Sequence, residues 1–145
     1  MNYFDTSFVT PLFRPEPTSN AVNKFFRAAA ETGLVTSHWT RAEFSSLVER
    51  DLRMRLLDQA RATSLDSSFE AALAQSFTLI VPTIDDIELC KRYLQHYETG
   101  LRAGDALHLA IARNNNAQAI YSLDDKMIRA GKLLGLPVSR GIRAR

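Results

Sequence analysis

The sequence predicts an α/β domain built on a short, mainly parallel central sheet of four to five strands. Two observations carry that expectation. Short apolar runs alternate with longer segments of helical period along the chain, the pattern of parallel strands joined by crossover helices. The chain has 145 residues, 46% of them hydrophobic and 23% charged. Those proportions suit one packed core and exclude wholesale disorder, a collagen-like fibre or a disulfide scaffold. No internal repeat, low-complexity tract or composition break divides it, so residues 1–145 read as a single domain.

A first strand is expected at Asn2–Phe4, closing on Asp5, then a short helical piece near residues 7–13 and a break at Pro15 and Pro17. Thr18 or Ser19 can cap a helix that carries Phe25, Phe26 and Ala29 and stops before Gly33. A hydroxyl satisfies free N–H groups of the first turn, and glycine tolerates the exit. Residues 34–36 form the second strand. A long helix is predicted over residues 40–61, with Phe44, Leu47, Val48, Leu52 and Leu56 on one face and Glu49, Arg50, Arg53 and Arg61 on others. A further helix over residues 64–75 leads to a third strand at residues 77–81, stopped by Pro82. Thr83 caps the next helix, whose stripe is Ile84, Ile87, Cys90, Leu94 and Tyr97. After a loop at residues 100–104 come a helix at 105–114, a fourth strand at 119–123 and a final helix at 125–134. Gly135-Leu136-Pro137-Val138 ends that helix and opens a short fifth strand.

The lone Cys90 permits no intrachain disulfide, which suits a reducing compartment. Its place on an apolar stripe marks it as a core thiol rather than a nucleophile. The longest apolar stretches, such as Leu79-Ile80-Val81, fall far short of the ~20 residues that span a bilayer. No basic segment precedes an apolar run at the amino terminus. The expectation is a soluble, cytoplasmic chain with no membrane partner. No glycine-rich phosphate loop of the dinucleotide or P-loop type is present, which argues against those enzymes. Asp5-Thr6-Ser7 lacks the second acid, two residues on, that an aspartyl phosphotransfer enzyme would carry. Net charge is only +2, yet residues 126–145 hold Lys126, Arg129, Lys132, Arg140, Arg143 and Arg145 and no acid after Asp125. Such an end attracts polyanions, or is simply a solvated helix face and tail.

In a parallel sheet the crossover helices run against the strands, so helices start where strands end. Ligand sites gather at that carboxyl edge, near the point where strand order reverses. Asp5 follows the first strand, and Glu43 stands in the first turn of the helix after the second. Asp105 opens the helix before the fourth strand, and Asp124 follows that strand. Singly, the three aspartates read as helix caps or first-turn residues and Glu43 as a surface carboxylate. Jointly, four negative charges on one partly desolvated edge repel, and protonation or a cation must relieve them. Mg²⁺ or Mn²⁺ does so at neutral pH while keeping waters and phosphate oxygens as other ligands, so the cluster points to metal-assisted phosphate chemistry. His108, one helical turn past Asp105, reads as a surface or structural hydrogen-bond partner and not as a ligand. His38 and His96 have no ligand spacing. Trp39, Phe44 and Tyr93 read as core or interface aromatics before base-stacking platforms.

Tyr3-Phe4-Asp5-Thr6-Ser7 resembles the opening strand motif of the PIN domain, and Glu43 stands where that family has its second acid. Gly104-Asp105-Ala106-Leu107-His108-Leu109-Ala110 resembles the third motif. Tyr121-Ser122-Leu123-Asp124, followed by Ala130, Gly131 and Gly135, resembles the fourth. The likeness spans residues 3–138 in the family's order and spacing, and the compact length is similar to the VapC-like toxins of type II toxin–antitoxin pairs. Two departures stand out: Ser122 where Thr is common, which keeps the hydroxyl, and Asp125, a second carboxylate beside Asp124. Motif spacing favours Asp124 as the ligand.

The resemblance implies a three-layer α/β/α fold and a metal-dependent endoribonuclease. Its partners would be RNA as substrate, a VapB-like antitoxin as inhibitor, and a second copy of the chain. On this reading Asp5, Glu43, Asp105 and Asp124 hold Mg²⁺ or Mn²⁺. Asp5 is the direct or bridging ligand, Asp105 and Asp124 bind directly or through water, and Glu43 holds a water or accepts its proton. Thr6, Ser7 and Ser122 would orient carboxylates or meet phosphate. Arg41, Arg102, Lys126 and Arg129 stand near these acids in sequence, either holding an RNA backbone without reading bases or acting as solvated side chains. Two alternatives stay open: a non-catalytic module whose acidic edge docks a basic peptide, and a DNA-directed nuclease with the same acids.

Overall fold

The computed structural model describes residues 1–143, and Arg145 of the basic end lies outside the described residues. Five strands form one sheet: β1 (Asn2–Phe4), β2 (Leu34–Ser37), β3 (Phe77–Ile80), β4 (Ala119–Tyr121) and β5 (Val138–Ser139). Their order is β3-β2-β1-β4-β5, and every neighbouring pair is parallel. Seven α-helices accompany them among the described residues. They are α1 (Thr6–Val9), α2 (Ser19–Ala29), α3 (His38–Arg53), α4 (Gln59–Ser76), α5 (Ile84–Leu94), α6 (Ala103–Asn114) and α7 (Asp125–Leu133). None of them is long and apolar enough to cross a membrane.

Side chains alternate across a strand, so each strand feeds two layers. Phe4, Leu34, Phe77, Leu79 and Tyr121 face a core with Phe8, Val22, Phe26, Phe44, Val48, Phe69 and Leu73 from α1 to α4. Tyr3, Val35, Ile120 and Val138 face the other layer, filled by Leu109, Ile111 and Ala112 of α6 and Met127 and Ile128 of α7. Cys90 of α5 packs against Ala106 and Ala110 of α6, which makes it the core thiol its stripe suggested. Phe44 and Phe69 lie stacked, their ring centroids 3.7 Å apart, and join α3 to α4 inside the first core. The result is the expected α/β/α sandwich with an all-parallel sheet.

The helical region after β2 corrects the sequence reading. In place of one helix over residues 40–61 and another over 64–75, α3 ends at Arg53 and α4 begins at Gln59. Arg55 adopts a left-handed φ of 59°, and the Leu56 N–H reaches back to the Asp51 carbonyl. Asp58 then caps α4 through the Arg61 N–H. Apolar periodicity hides this break because Leu52, Leu57 and Ala62 reach the same core from both sides of it. Leu56, expected on the buried face, is 60% exposed.

The α5 stripe is also rotated from the expected one. Ile84 is 79% exposed, Ile87 and Tyr97 are exposed too, and Tyr97 falls beyond the end of the helix. The inward place goes to Asp86, whose carboxylate accepts from the Thr83 N–H at 2.9 Å and from Asn114 Nδ2 at 2.8 Å. A buried carboxylate with both oxygens satisfied ties α5 to the end of α6, and that outranks hydropathy.

Gly131 shows how closely α7 rides on β5. A Cβ there would stand 2.4 Å from Val138 Cγ2 and 3.1 Å from Val138 Cβ. Gly131→Ala is therefore expected to cost about 1–3 kcal/mol through overpacking, read as a lower urea midpoint with an unchanged slope. An unaltered midpoint would mean that α7 can lift off β5 freely.

Candidate active site

The strand order reverses between β1 and β4, with β1 pairing β2 on its other side. Asp5 leaves β1 and Asp124 follows β4 at this reversal. Glu43 sits on α3 after β2, and Asp105 lies in the first turn of α6. All four carboxylates line one open cleft of about 860 Å³, together with Thr6, Ser7 and His108. Sequence reasoning placed these acids at one edge, and the fold brings them into one cavity.

Each acid is held by the local structure that also explains its presence. Asp5, 3% exposed, caps α1: its Oδ1 accepts from the Phe8 N–H at 3.0 Å and from the Ser7 hydroxyl at 2.7 Å. Ser7 Oγ in turn accepts from the Leu123 N–H at 2.8 Å and lies 3.2 Å from Ser122 Oγ, which locks the ends of β1 and β4 together. Asp124 caps α7, its Oδ1 accepting from the N–H groups of Lys126 and Met127. Glu43 Oε1 accepts from the Thr6 hydroxyl at 2.6 Å and from His108 Nε2. Among the described residues, no hydrogen bond holds the side chain of Asp105.

The electrostatics divide the acids. Burial pushes the Asp5 carboxyl above its ordinary range, opposed by His108 and by the Ser122 and Ser7 hydroxyls. Burial also lifts Asp105, helped by the charges of Asp124, Asp5 and Glu43 and opposed by His108, to about 6. For Glu43 burial again pulls upward, but the hydrogen bond and charge of His108 and the Thr6 hydroxyl outweigh it, and its pKa falls below the usual value. The cleft thus holds carboxylates that resist ionising together and one that is kept ionised.

His108 is the residue that sequence reasoning undervalued. It is 1% exposed, and its partner is not Asp105 but Glu43 at Nε2, with Thr6 Oγ1 3.1 Å from Nε2 and Tyr3 Oη 2.7 Å from Nδ1. A histidine inside the apolar run Ala106-Leu107-His108-Leu109-Ala110-Ile111 is a readable signal, since a buried ring must find polar partners. His38 bonds Arg41, His96 pairs with Glu98, and neither lines the cleft.

The cationic rim also differs from the one sequence proximity suggested. Arg102 lines the cleft beside Asp105. Lys126 lines an adjoining cavity of about 480 Å³ that shares Arg102, Asp105 and Asp124 with the cleft. Arg41 is turned to Glu70, with Nε and Nη2 both 2.9 Å from the carboxylate, and Arg129 is exposed on α7 and lines neither cavity. The cleft takes Arg50 and Arg53 of α3 instead, along with Arg14 and Arg140. Arg50 and Arg53 stand seven and ten positions past Glu43, about two and three turns along one helix, which is the spacing that could have revealed them. Arg14 is occupied by Asp51 at 2.8 Å and Glu16 at 3.0 Å. Arg140 Nη1 donates to the Leu123 carbonyl and pairs with Asp125 at 3.1 Å; Asp124 lines both the main cleft and the adjoining cavity, whereas Asp125 lines the adjoining cavity.

The donor set at the cleft floor is carboxylate and hydroxyl oxygen, which fits a hard divalent cation. Among the described residues no three His, Cys, Asp or Glu side chains form a ready-made ligand shell. Carboxylates that share a cleft without closing on one point suit Mg²⁺, which keeps several of its waters.

The raised pKa of Asp105 makes a signed prediction for the metal-free protein. Its contribution to stability is fully present below about 4 and is lost as pH rises through about 6. In EDTA, Asp105→Asn should melt above wild type at pH 7.5, and the advantage should shrink as pH falls below about 6 and fade near pH 4. A difference that does not change with pH would remove Asp105 from the repelling cluster.

The family model described as PIN domain matches residues 3–133. No curated protein sequence matches the chain. Among solved structures, the chain is similar to VapC20 of Mycobacterium tuberculosis, a Sarcin-Ricin loop cleaving toxin, at 21% identity and a TM-score of 0.70, covering 90% of this chain and 95% of that one. It is similar to FitAcB of Neisseria gonorrhoeae at 17% identity and a TM-score of 0.76, covering 97% and 98%. It is also similar to VapBC2 of Rickettsia felis, solved bound to a DNA fragment from their promoter, at 13% identity and a TM-score of 0.71, covering 96% and 98%. At these identities the likeness is one of fold.

Proposed function

This chain belongs to the PIN domain family, and we propose that it is a divalent-metal-dependent endoribonuclease, the toxin of a type II toxin–antitoxin pair. The observation that carries the proposal is the meeting of Asp5, Glu43, Asp105 and Asp124 in one cleft at the strand-order reversal, under a rim of arginines. The likeness in fold to VapC20, FitAcB and VapBC2 supports the toxin reading and a VapB-like antitoxin as partner.

Asp5, Asp105, Asp124 and Glu43 are the residues that would hold Mg²⁺ or Mn²⁺. Such an ion, when bound, lowers the pKa of a water and offsets charge on the phosphate. The chain's own side chains do the remaining work. Ser7 and the Phe8 N–H hold Asp5 in place. Glu43, kept ionised by His108 and Thr6, is an acceptor for a proton from water. Arg50, Arg53 and Arg102 meet backbone phosphates, which positions a strand without reading its bases.

The purified protein is expected to cut an RNA oligonucleotide with Mg²⁺ or Mn²⁺, and EDTA or Asp5→Asn should abolish the cutting. Cleavage that survives Asp5→Asn would overturn the assignment. Binding without turnover would favour the docking module, and preference for a DNA oligonucleotide of the same sequence would change the substrate. Arg50→Ala and Arg53→Ala should each raise KM with little change in kcat. If each removes one phosphate contact, the salt dependence of affinity should flatten by about 0.7 per residue in a log–log plot. Unchanged slopes would take those arginines out of the substrate path.

A further inference from the structure

We propose that His108 and Tyr3 are positioning residues that present Glu43 to the acidic cleft through a single oxygen, an inference that rests on the nuclease reading above. A buried chain of side chains carries it. Ser37 Oγ lies 2.9 Å from Tyr3 Oη, Tyr3 Oη lies 2.7 Å from His108 Nδ1, and His108 Nε2 meets Glu43 Oε1. Ser37, Tyr3 and His108 are all at most 1% exposed, so the Ser37–Tyr3–His108 part of the chain is shielded from solvent, while Glu43 reaches the open cleft.

The direction of the chain follows from what each group can do. An ionised carboxylate only accepts, so Nε2 carries the proton of the His108–Glu43 bond. With Nε2 turned to Glu43, Nδ1 must face Tyr3. The Tyr3 hydroxyl, 2.7 Å from Nδ1, is the group that bonds this side of the ring. Ser37 anchors the far side of that hydroxyl. The imidazole cannot flip or swing without stranding a buried polar atom.

This arrangement uses up Oε1 of Glu43, which already receives the Thr6 hydroxyl. Oε2 lies against the first turn of α6: a Cβ on Gly104 would come within 3.1 Å of it and 3.5 Å of the Trp39 indole nitrogen. Glycine at 104 therefore leaves room for the oxygen next to Asp105. Glu43 stands on α3 and His108 on α6, whose inward faces feed opposite layers, with Tyr3 of β1 between them. Helix packing alone does not direct the Glu43 side chain; the histidine does.

Two readouts separate positioning from a merely structural polar network. In the metal-free protein, the histidine-ring ¹H–¹⁵N spectrum should show His108 protonated at Nε2, assigned by its loss in His108→Gln. Tyr3→Phe should disturb that signal while leaving His38 and His96 unmoved. In the RNA assay, Tyr3→Phe and His108→Leu should lower kcat about 10–100-fold, with KM within about twofold of wild type. His108→Gln, whose amide N–H can replace the Nε2 donor, should recover much of the loss. Wild-type kcat in Tyr3→Phe, a loss confined to KM, or an unprotonated Nε2 would each overturn the proposal. If His108→Leu fails to fold, Tyr3→Phe and His108→Gln still decide it. If the wild-type protein does not cut RNA, the nuclease reading fails by itself, and the spectrum still tests the hydrogen-bonded order.

Discussion

Parallel pairing of β1 with β4 is the constraint from which the site follows. Phe4 and Tyr121 are register partners at the ends of these strands, and the Asp5 N–H extends the ladder to the Tyr121 carbonyl. The chain leaves both strands on the same edge, so Asp5 and Asp124 emerge side by side. Ser7, bonded to both Asp5 and the Leu123 N–H, keeps the two exits at fixed spacing. Strand order reverses here, which leaves the edge open to solvent, and α3 and α6 bring Glu43 and Asp105 to its rim.

The helix-cap reading and the site reading of these acids turn out to be compatible. Asp5 and Asp124 do cap α1 and α7, each with its Oδ1. Capping fixes the carboxylate's orientation, which is what a group that must meet an ion or a phosphate needs. Local helix chemistry thereby pre-organises the cleft; burial raises the pKa of Asp5 and of Asp105, and for Asp105 the neighbouring acids add to it. Glu43 moves the other way because His108 and Thr6 bond to its charged form. Oppositely perturbed acids in one cleft mark a candidate functional site.

The chain shares its fold with the toxin structures and its family with PIN domains, while the chemistry resides in the cleft itself. The arginines contributed by α3 give the cleft a cationic approach on one side. Lys126 lines an adjoining cavity that shares Arg102, Asp105 and Asp124 with the cleft.

The order of elements, the parallel sheet and the four carboxylates were legible in the sequence because each has a local cause. Strands and helices differ in apolar period, and Asp5, Asp105 and Asp124, at strand ends or in a first turn, obey capping rules that act over a few residues. Glu43, expected in the first turn of its helix, is the sixth residue of α3, which starts two residues earlier than the sequence suggests. The break between α3 and α4 was not legible, since both helices present apolar residues to one core and only Arg55 and Asp58 mark the turn. Nor was the inward turn of Asp86, whose partner Asn114 is 28 positions away. His108 and Tyr3 meet across 105 positions, and Glu43 and His108 across 65. Sequence alone determined which residue types stand at the carboxyl edge; tertiary structure decided which of their atoms face the cleft, because that depends on hydrogen bonds between layers that no local period encodes.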